Sequence, residues 1–443
     1  MDNALASIKI ASKHFKTSDE QDSLAASYQR RGDIHKTLGQ LDQAIELFEL
    51  FNQLMEGLVE SNPKSEKFKD YLAISYSKLG DIHKDMGHLE QALTFFELFT
   101  QLMKELSDSN PKSEGLKNEL ASSYSKLGKI HQELGQREKA LAFFELSHQL
   151  SKELSDSNPN RESLKNWLAI SYQRLGDIHK DLAQLEKALA FFELYNRLSK
   201  ELYDANPKSE GLKNDLAISY ERLGLVDEAK GKLDNALKHY EKHKDLMFEL
   251  YNDNQKSEKI KNDLAISYSH LGNIHKDLGH LDQALEFFEL DIKLSKELYD
   301  ANPKSVQLKN GLAISYYKLG GIYQDKQQVL TMYAKAMTLW KELYQTTQLD
   351  TYKEKAKNAK NTSILFLLAR LGKWLKVILL FCLEVIFEGG YLVFSSAFSS
   401  AFAFLFLLAR LGKWLKDIWK DIWKVIYWCT LLCLLFLWFF WGG

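Results

Sequence analysis

The sequence predicts an all-α protein built from stacked helix pairs, and two periodic features predict it. A glycine recurs at a constant interval, and leucine precedes it in every unit but the first, where Arg31 stands. These glycines are Gly32, Gly80, Gly128, Gly176, Gly224, Gly272 and Gly320. The prolines keep the same interval at Pro63, Pro111, Pro159, Pro207 and Pro303, with Gln255 in the vacant position. Self-similarity at a fixed period of this size indicates a solenoid, in which each unit packs only on its neighbours.

Each unit reads as two antiparallel helices of roughly 20 residues. Apolar residues of the second unit recur every three or four positions, at Leu72, Tyr76, Leu79, Ile82 and Met86, then at Ala92, Phe96, Phe99 and Met103. Gly87 predicts a left-handed turn between the two helices. Asn110 and Pro111 predict a stop and restart between units, with Asn110 or Ser113 as the competing N-caps. No segment alternates with period two, so the prediction is all-α.

The units divide the chain in order. Residues 1–20 form an N-terminal half unit or capping helix, because the opening residues resemble 233–237 at the start of a second helix. A truncated start is the alternative. Residues 21–348 hold about seven helix pairs, and the seventh unit has lost about three residues in its turn. Residues 349–362 read as a polar helix suited to capping the end of the array.

The order Tyr76, Leu79-Gly80, His83, Ala92 and Phe96 resembles the tetratricopeptide repeat. The same order recurs in the fourth unit as Tyr172, Leu175-Gly176, His179, Ala188 and Phe192. Glycine and alanine let the two helices approach, while the aromatic rings fill the space beside them. The resemblance covers residues 1 to about 348, although the period of 48 exceeds the usual period of about 34. It implies an α-α superhelix that binds protein or peptide partners.

The resemblance also implies a partner groove lined by first-helix residues that follow the glycine. These are Asp33, Lys36, Asp81, Lys84, Asp85, Lys129, Asp177, Lys180, Asp181, Asn273, Lys276 and Asp277. Their mixed charge suits extended peptides or helices of mixed charge. The alternative is an ordinary solvated helix face. Family members that clamp carboxylate tails use lysine and asparagine at positions that here hold Ser77, Ser125 and Ser269, so that ligand is not implied.

Five units carry a histidine one turn after the glycine, at His35, His83, His131, His179 and His275. Helices that stack 8–10 Å apart cannot bring them within the roughly 2 Å of a shared zinc ion. We therefore interpret them as half-buried replacements of the family's aromatic residue. No phosphate loop, nucleophile elbow or Cys-x-x-Cys pair occurs. The sequence predicts no enzyme, no metal and no cofactor, and the net charge of −1 predicts no nucleic-acid partner.

Residues 363–443 form a hydrophobic module, with possible membrane spans at 364–387, 391–409 and 425–441. The first of these contains Arg370, Lys373, Lys376 and Glu384 on one stripe. It either spans a bilayer with this stripe facing partners or lies along the surface. The module could also assemble oligomers. It contains a segment, 365–376, that is identical to 405–416, and nothing in the sequence assigns it a function.

Residues 407–424 predict an amphipathic helix in the membrane interface. Its interface residues are Arg410, Lys413, Trp414, Lys416, Trp419, Lys420, Trp423 and Lys424. Their basic character favours the cytoplasmic side. The array has no cysteine, since Cys382, Cys429 and Cys433 all lie in the tail, and this fits a reducing compartment.

Two functional hypotheses follow. In the first, the chain is a scaffold anchored in a membrane, with the repeat array on the cytoplasmic side and protein partners in the groove. In the second, the cationic, tryptophan-rich tail perturbs or permeabilises membranes, and the array acts as a sensor.

Overall fold

The structure is a computed structural model, and it describes residues 18–388. Residues 1–17 of the predicted half unit lie outside the described residues. So do the tail segments predicted at 391–409, 407–424 and 425–441. The chain divides into two compact units, Met1–Leu349 and Asp350–Gly443.

The described residues contain α-helices joined by turns. In chain order they are α1 Ser18–Thr37, α2 Leu41–Ser61, α3 Glu66–Asp85, α4 Leu89–Ser109, α5 Glu114–Glu133, α6 Arg137–Ser157, α7 Glu162–Asp181, α8 Leu185–Ala205, α9 Glu210–Ala229, α10 Leu233–Asp253, α11 Glu258–Asp277, α12 Leu281–Ala301, α13 Val306–Gly320, α14 Lys326–Thr347 and α15 Asp350–Glu388.

Helices α1 to α14 form seven antiparallel pairs, which we number repeats 1 to 7. In repeats 2 to 6 the first helix has 20 residues and the second has 21. Within this unit each helix packs mainly against the helices that precede and follow it in the chain. The predicted all-α solenoid of seven helix pairs is therefore confirmed.

Part of the core is a small apolar cluster that is repeated along the array. Ala92 and Phe96 of α4 pack against Leu127 and Ile130 of α5, so the second helix of one repeat contacts the first helix of the next. Equivalent clusters join the other neighbouring repeats. Each repeat thus completes its core only with the following repeat, which explains why the helix pairs stack.

The repeated glycines mark the closest approach within each helix pair. A Cβ atom added at Gly80 would lie 2.4 Å from Cε1 of Phe96, which is fully buried. The same contact would measure 2.4 to 2.6 Å at the other glycines from Gly32 to Gly272. At Gly320 in repeat 7 the nearest atom, Cβ of Met332, would lie 3.2 Å away. The glycine is therefore required by packing in repeats 1 to 6 and less strictly in repeat 7.

The turns confirm one prediction and decide between the two competing N-caps. Gly87 has a φ of 81°, which confirms the left-handed turn. The N-cap of α5 is Ser113, whose hydroxyl accepts a hydrogen bond from the amide of Leu116. Asn110 instead closes the C-terminus of α4. Ser113 stands directly before α5 and reaches its free amides, whereas Asn110 is still engaged with the helix that it ends.

Ion pairs also link the two helices of a repeat. Lys69 of α3 pairs with Glu105 of α4, 36 residues later, and this spacing recurs in the following repeats. In repeat 7 the equivalent pair, Lys309 and Glu342, is only 33 residues apart. The shorter separation confirms the predicted loss in the last turn.

The second unit begins with α15, one continuous helix of 39 residues. It joins the predicted polar helix 349–362 and the predicted span 364–387 without a break. No helix among the described residues is both long and apolar enough to cross a membrane. A crossing at 364–387 is therefore not supported, and Arg370, Lys373 and Lys376 interrupt the apolar run of this segment. The capping role of residues 349–362 stays a prediction.

Candidate partner-binding surface

The candidate site lies on the first helices, around the constant-interval glycine of each repeat, from Gly32 to Gly320. We call it the first-helix face. It comprises the twelve predicted groove residues together with the basic residues that stand two positions before each glycine. Those basic residues are Arg30, Lys78, Lys126, Arg174, Arg222, His270 and Lys318.

Ion pairs between neighbouring first helices cross this face. Asp33 lies 2.7 Å from Nζ of Lys78, and both carboxylate oxygens of Asp81 accept hydrogen bonds of 2.7 Å from Lys126. Further along, Asp177 lies 3.3 Å from Nε of Arg222. In each case the aspartate follows the glycine of one repeat and the cation precedes the glycine of the next. We call each such position a rung.

A second set of contacts lies one turn further along the same helices. Lys36 pairs with Asp85 at 2.9 Å, and the amide of Gln132 donates to Asp181. These contacts also join consecutive repeats. Partly exposed ion pairs contribute about 0–1 kcal/mol each, so the rungs mainly fix how adjacent first helices are aligned.

Three rungs depart from this pattern. Lys129 stands across from Arg174, so that rung holds two cations. At the rung between repeats 5 and 6, Leu225 replaces the aspartate, and His270 lies 3.3 Å from Glu221 instead. At the last rung Asn273 replaces the aspartate, and Lys318 donates a hydrogen bond of 2.7 Å to Ser269.

Five of the twelve predicted residues form neither kind of contact. Within residues 18–388, no ion pair and no hydrogen bond to another side chain is formed by Lys84, Lys180, Asn273, Lys276 and Asp277. Lys276 and Asp277 are exposed. The structure therefore divides the twelve predicted residues into two groups of six. Asp33, Lys36, Asp81, Asp85, Asp177 and Asp181 join consecutive repeats. The other six, which include Lys129, form no ion pair with a carboxylate among the described residues.

Sequence reasoning missed the cations that complete the rungs. The signal was present, since six of the seven residues that stand two positions before the glycines are lysine or arginine and the seventh is His270. Their significance depends on a contact across 45 residues, which helical periodicity does not reveal.

The histidines after the glycines lie in aromatic surroundings. Four of them are buried rather than half-buried: His83, His131, His179 and His275. Each stacks on a second-helix phenylalanine with ring centroids 5.3 to 5.4 Å apart. Burial and the neighbouring His88 lower the pKa of His83. The replacement of an aromatic residue is thus the role that the packing supports. No group of three or more potential metal ligands was found among the described residues.

A partly buried polar cluster in repeats 5 and 6 includes two residues of the first-helix face, Arg222 and His270. It contains Glu221, Arg222, His243 and His270. Burial raises the pKa of Glu221, but the hydrogen bond from His270 and the charge of Arg222 outweigh it and lower this pKa to about 2. Burial lowers the pKa of His243 to about 4. At pH 7 these pKa values correspond to a charged Glu221 and a neutral His243.

The class of protein defined by this fold is a helical repeat solenoid with charged first-helix surfaces. Two family models, both described as tetratricopeptide repeat, match it: one at residues 120–159 and 264–303, the other at 25–54, 73–102 and 169–201. Tetratricopeptide repeats are therefore detected in these five segments of the chain.

Solved structures that match this chain include BtubC from P. vanneervenii, which is 20% identical over 60% of this chain and 93% of its own, with a TM-score of 0.46. The nuclear import adaptor Nro1 of S. pombe is 13% identical over 66% of this chain and 99% of its own, with a TM-score of 0.41. Neither likeness identifies a partner of this chain. No curated protein matches the sequence.

Proposed function

We propose that repeats 1 to 7 act as a scaffold that binds protein partners through the first-helix face. The observation that carries this proposal is the set of side chains of both charges that form no ion pair among the described residues, above all the exposed Lys276 and Asp277. The rungs hold consecutive first helices in alignment, so a partner would meet an ordered row of charges. A rigid surface of this kind lowers the entropic cost of binding an extended segment.

The experiment compares two charge-swapped variants of the full-length chain in a mild non-ionic detergent. One carries Lys276→Glu with Asp277→Lys on the first-helix face. The control carries Lys152→Glu with Asp156→Lys on the second helix of repeat 3, where both side chains are more than half exposed. Both variants keep the net charge. Proteins captured by the wild type and the control, but not by the first-helix variant, support the proposal.

The same capture by both variants would contradict it. Circular dichroism of both proteins would check that the helices are intact. Because neither Lys276 nor Asp277 forms an ion pair among the described residues, the swap should leave the stability unchanged within about 0.5 kcal/mol.

We further propose that the module beyond residue 363 holds this scaffold at a membrane, with the repeats on the cytoplasmic side. Two observations from the sequence support this: the uncharged run at 391–409 and the basic, tryptophan-rich segment 407–424. Co-flotation of the full-length chain with liposomes is the test, and recovery of the protein in the lipid-free fraction would contradict it.

The liposome experiment also tests the second function, membrane permeabilisation. Its support is the same cationic and tryptophan-rich composition. An anchored scaffold leaves a trapped dye inside the vesicles. Rapid release of the dye at protein concentrations that give full binding would favour the permeabilising function.

A further inference from the structure

The rung between repeats 3 and 4 places two cations at a position where its neighbours hold an ion pair. At the rungs on either side, the residue after the glycine is an aspartate, Asp81 or Asp177, and it pairs with a cation of the next repeat. Between repeats 3 and 4, the residue after the glycine is Lys129. The residue two positions before the glycine of repeat 4 is Arg174. The repeat geometry therefore brings two positive groups together.

The neighbouring carboxylates are engaged elsewhere. Asp81 uses both of its oxygens on Lys126, at 2.7 Å each. Asp177 lies 3.3 Å from Arg222, and its charge also acts on Arg174 without forming an ion pair with it. Within the described part of the chain, neither Lys129 nor Arg174 forms an ion pair with a carboxylate. This rung therefore lacks a carboxylate of its own.

Both cations are partly removed from water. Nε of Arg174 is buried and has no hydrogen-bond acceptor among residues 18–388. Burial, followed by the charges of Arg174, Lys84 and Lys126, lowers the pKa of Lys129 to about 8, against a smaller opposing effect of Asp81. Burial also lowers the pKa of Arg174, against the charge of Asp177. A half-buried guanidinium without an acceptor is unfavourable, because it loses water and gains no partner.

We propose that Lys129 and Arg174 form a binding site for a carboxylate on an acidic segment of a protein partner. The ligand carboxylate would occupy the place that an aspartate holds at the neighbouring rungs. It would accept hydrogen bonds from the guanidinium and the ammonium group at once, as charge-assisted pairs do. This site rests on the scaffold function proposed above and specifies one contact of its binding surface.

The test measures binding of a fluorescein-labelled peptide of alternating glutamate and alanine to the full-length chain in a mild non-ionic detergent. Fluorescence anisotropy at pH 7 and low ionic strength gives the affinity. The variant Lys129→Asp should lower this affinity at least tenfold. It should also raise the thermal midpoint, because the new carboxylate would pair with Arg174 and complete the rung. Destabilisation therefore cannot explain the loss of binding.

A matched control separates the site from general electrostatics. Lys112 is exposed and stands in the turn before α5. The variant Lys112→Asp changes the net charge by the same amount, and its affinity should stay within twofold of the wild type. An equal loss in both variants, or no loss with Lys129→Asp, would overturn the proposal. So would tighter binding of a lysine–alanine peptide by the wild type.

A phosphate group is the competing ligand for two such cations. A phosphoserine–alanine peptide that binds more than tenfold tighter than the glutamate peptide would overturn the carboxylate assignment. The two proposals can also fail separately. If Lys129→Asp binds the glutamate peptide normally while the swap at Lys276 and Asp277 still abolishes partner capture, the anion site fails and the scaffold function stands.

Discussion

Repeats 2 and 6 place different side chains at the same buried position. The second helix of repeat 2 has Phe99 there, and the second helix of repeat 6 has Asp291, each 3% exposed. The residues at this position in repeats 1 to 6 are Phe51, Phe99, Ser147, Tyr195, His243 and Asp291. The fold therefore determines that the position is buried, but it does not determine the polarity of the side chain.

The neighbours of this position differ between the two repeats. Phe99 belongs to an apolar cluster with Met103 and Leu120. Asp291 instead accepts hydrogen bonds of 2.9 Å from Ser295 and Ser315. Burial raises the pKa of Asp291, against the effects of these hydroxyls and of Lys318. Hydrogen bonds from two serines thus stabilise the buried polar side chain that repeat 6 places at this position.

The largest effect is expected when the residue of repeat 6 is placed in repeat 2. Phe99→Asp should lower the free energy of unfolding by about 5 kcal/mol, since it removes a buried ring and buries a carboxylate. Met103 stands where Ser295 would supply a hydroxyl. Urea unfolding followed by circular dichroism is the measurement. The reverse change, Asp291→Phe, should cost less than half as much, and equal losses would contradict the comparison.

The repeated glycine packs tightly in repeats 1 to 6, which include both compared repeats, and less tightly in repeat 7, so its substitution tests a second difference along the array. Gly176→Ala should lower the free energy of unfolding by about 3 kcal/mol, because the new Cβ would lie 2.4 Å from the buried ring of Phe192. Gly320→Ala should cost less than about 1 kcal/mol, because repeat 7 packs more loosely. Thermal unfolding of the two variants gives the comparison. Gly57→Ala is the control, since no atom lies within 4 Å of the added Cβ.

The free energy of unfolding should also depend on pH because of His243 in repeat 5, whereas Phe99 at the same position in repeat 2 cannot titrate. The pKa of His243 is lowered from 6.5 to about 4, mainly by burial and also by His270 and Arg222, against Glu221. Below pH 6.5, His243 therefore binds a proton in the unfolded chain but stays neutral in the folded chain until the pH approaches 4. The free energy of unfolding therefore falls as the pH falls. The expected loss at this residue is about 2 kcal/mol between pH 7 and pH 5.

The variant His243→Phe carries the residue of repeats 1 and 2. Its free energy of unfolding should depend on pH less steeply than that of the wild type, because the variant lacks the group that titrates. Urea titrations at pH 7 and pH 5 for both proteins measure this difference. Parallel pH dependences would show that His243 does not contribute.

The smallest expected effect concerns the turn of repeat 4. Ala183 has a φ of 57°, in the region that glycine occupies in five other turns. Ala183→Gly should raise the free energy of unfolding by about 1 kcal/mol, because glycine adopts this conformation without steric cost. The thermal midpoint is the measurement, and a lower midpoint would contradict the assignment of strain.

Most of the array could be predicted from the sequence, because helical periodicity is a local property. The spacing of Leu72, Tyr76 and Leu79 predicted a buried helix face, and all three lie on the packed side of α3. The cap was harder to predict. Asn110 and Ser113 are both good capping residues, and only the position of the helix ends shows which one begins α5.

The candidate site could be predicted only in part. The resemblance pointed to the acidic and basic residues after the glycine, yet it gave no reason to separate Asp81, which is paired, from Lys84, which is not. The unpaired state of Lys129 was equally hidden. Its identity is plain in the sequence, but its significance depends on Arg174 in the next repeat.

The sequence by itself determined the helix pairs and the small residues at their contacts. These depend on the three- and four-residue spacing within a helix and on the constant interval between repeats, both of which are visible along the chain. The tertiary structure alone decided which charges on the first-helix face neutralise one another and which stay unpaired. Ion pairs depend on distances of about 3 Å between side chains of different repeats, and those distances exist only once the helices have packed.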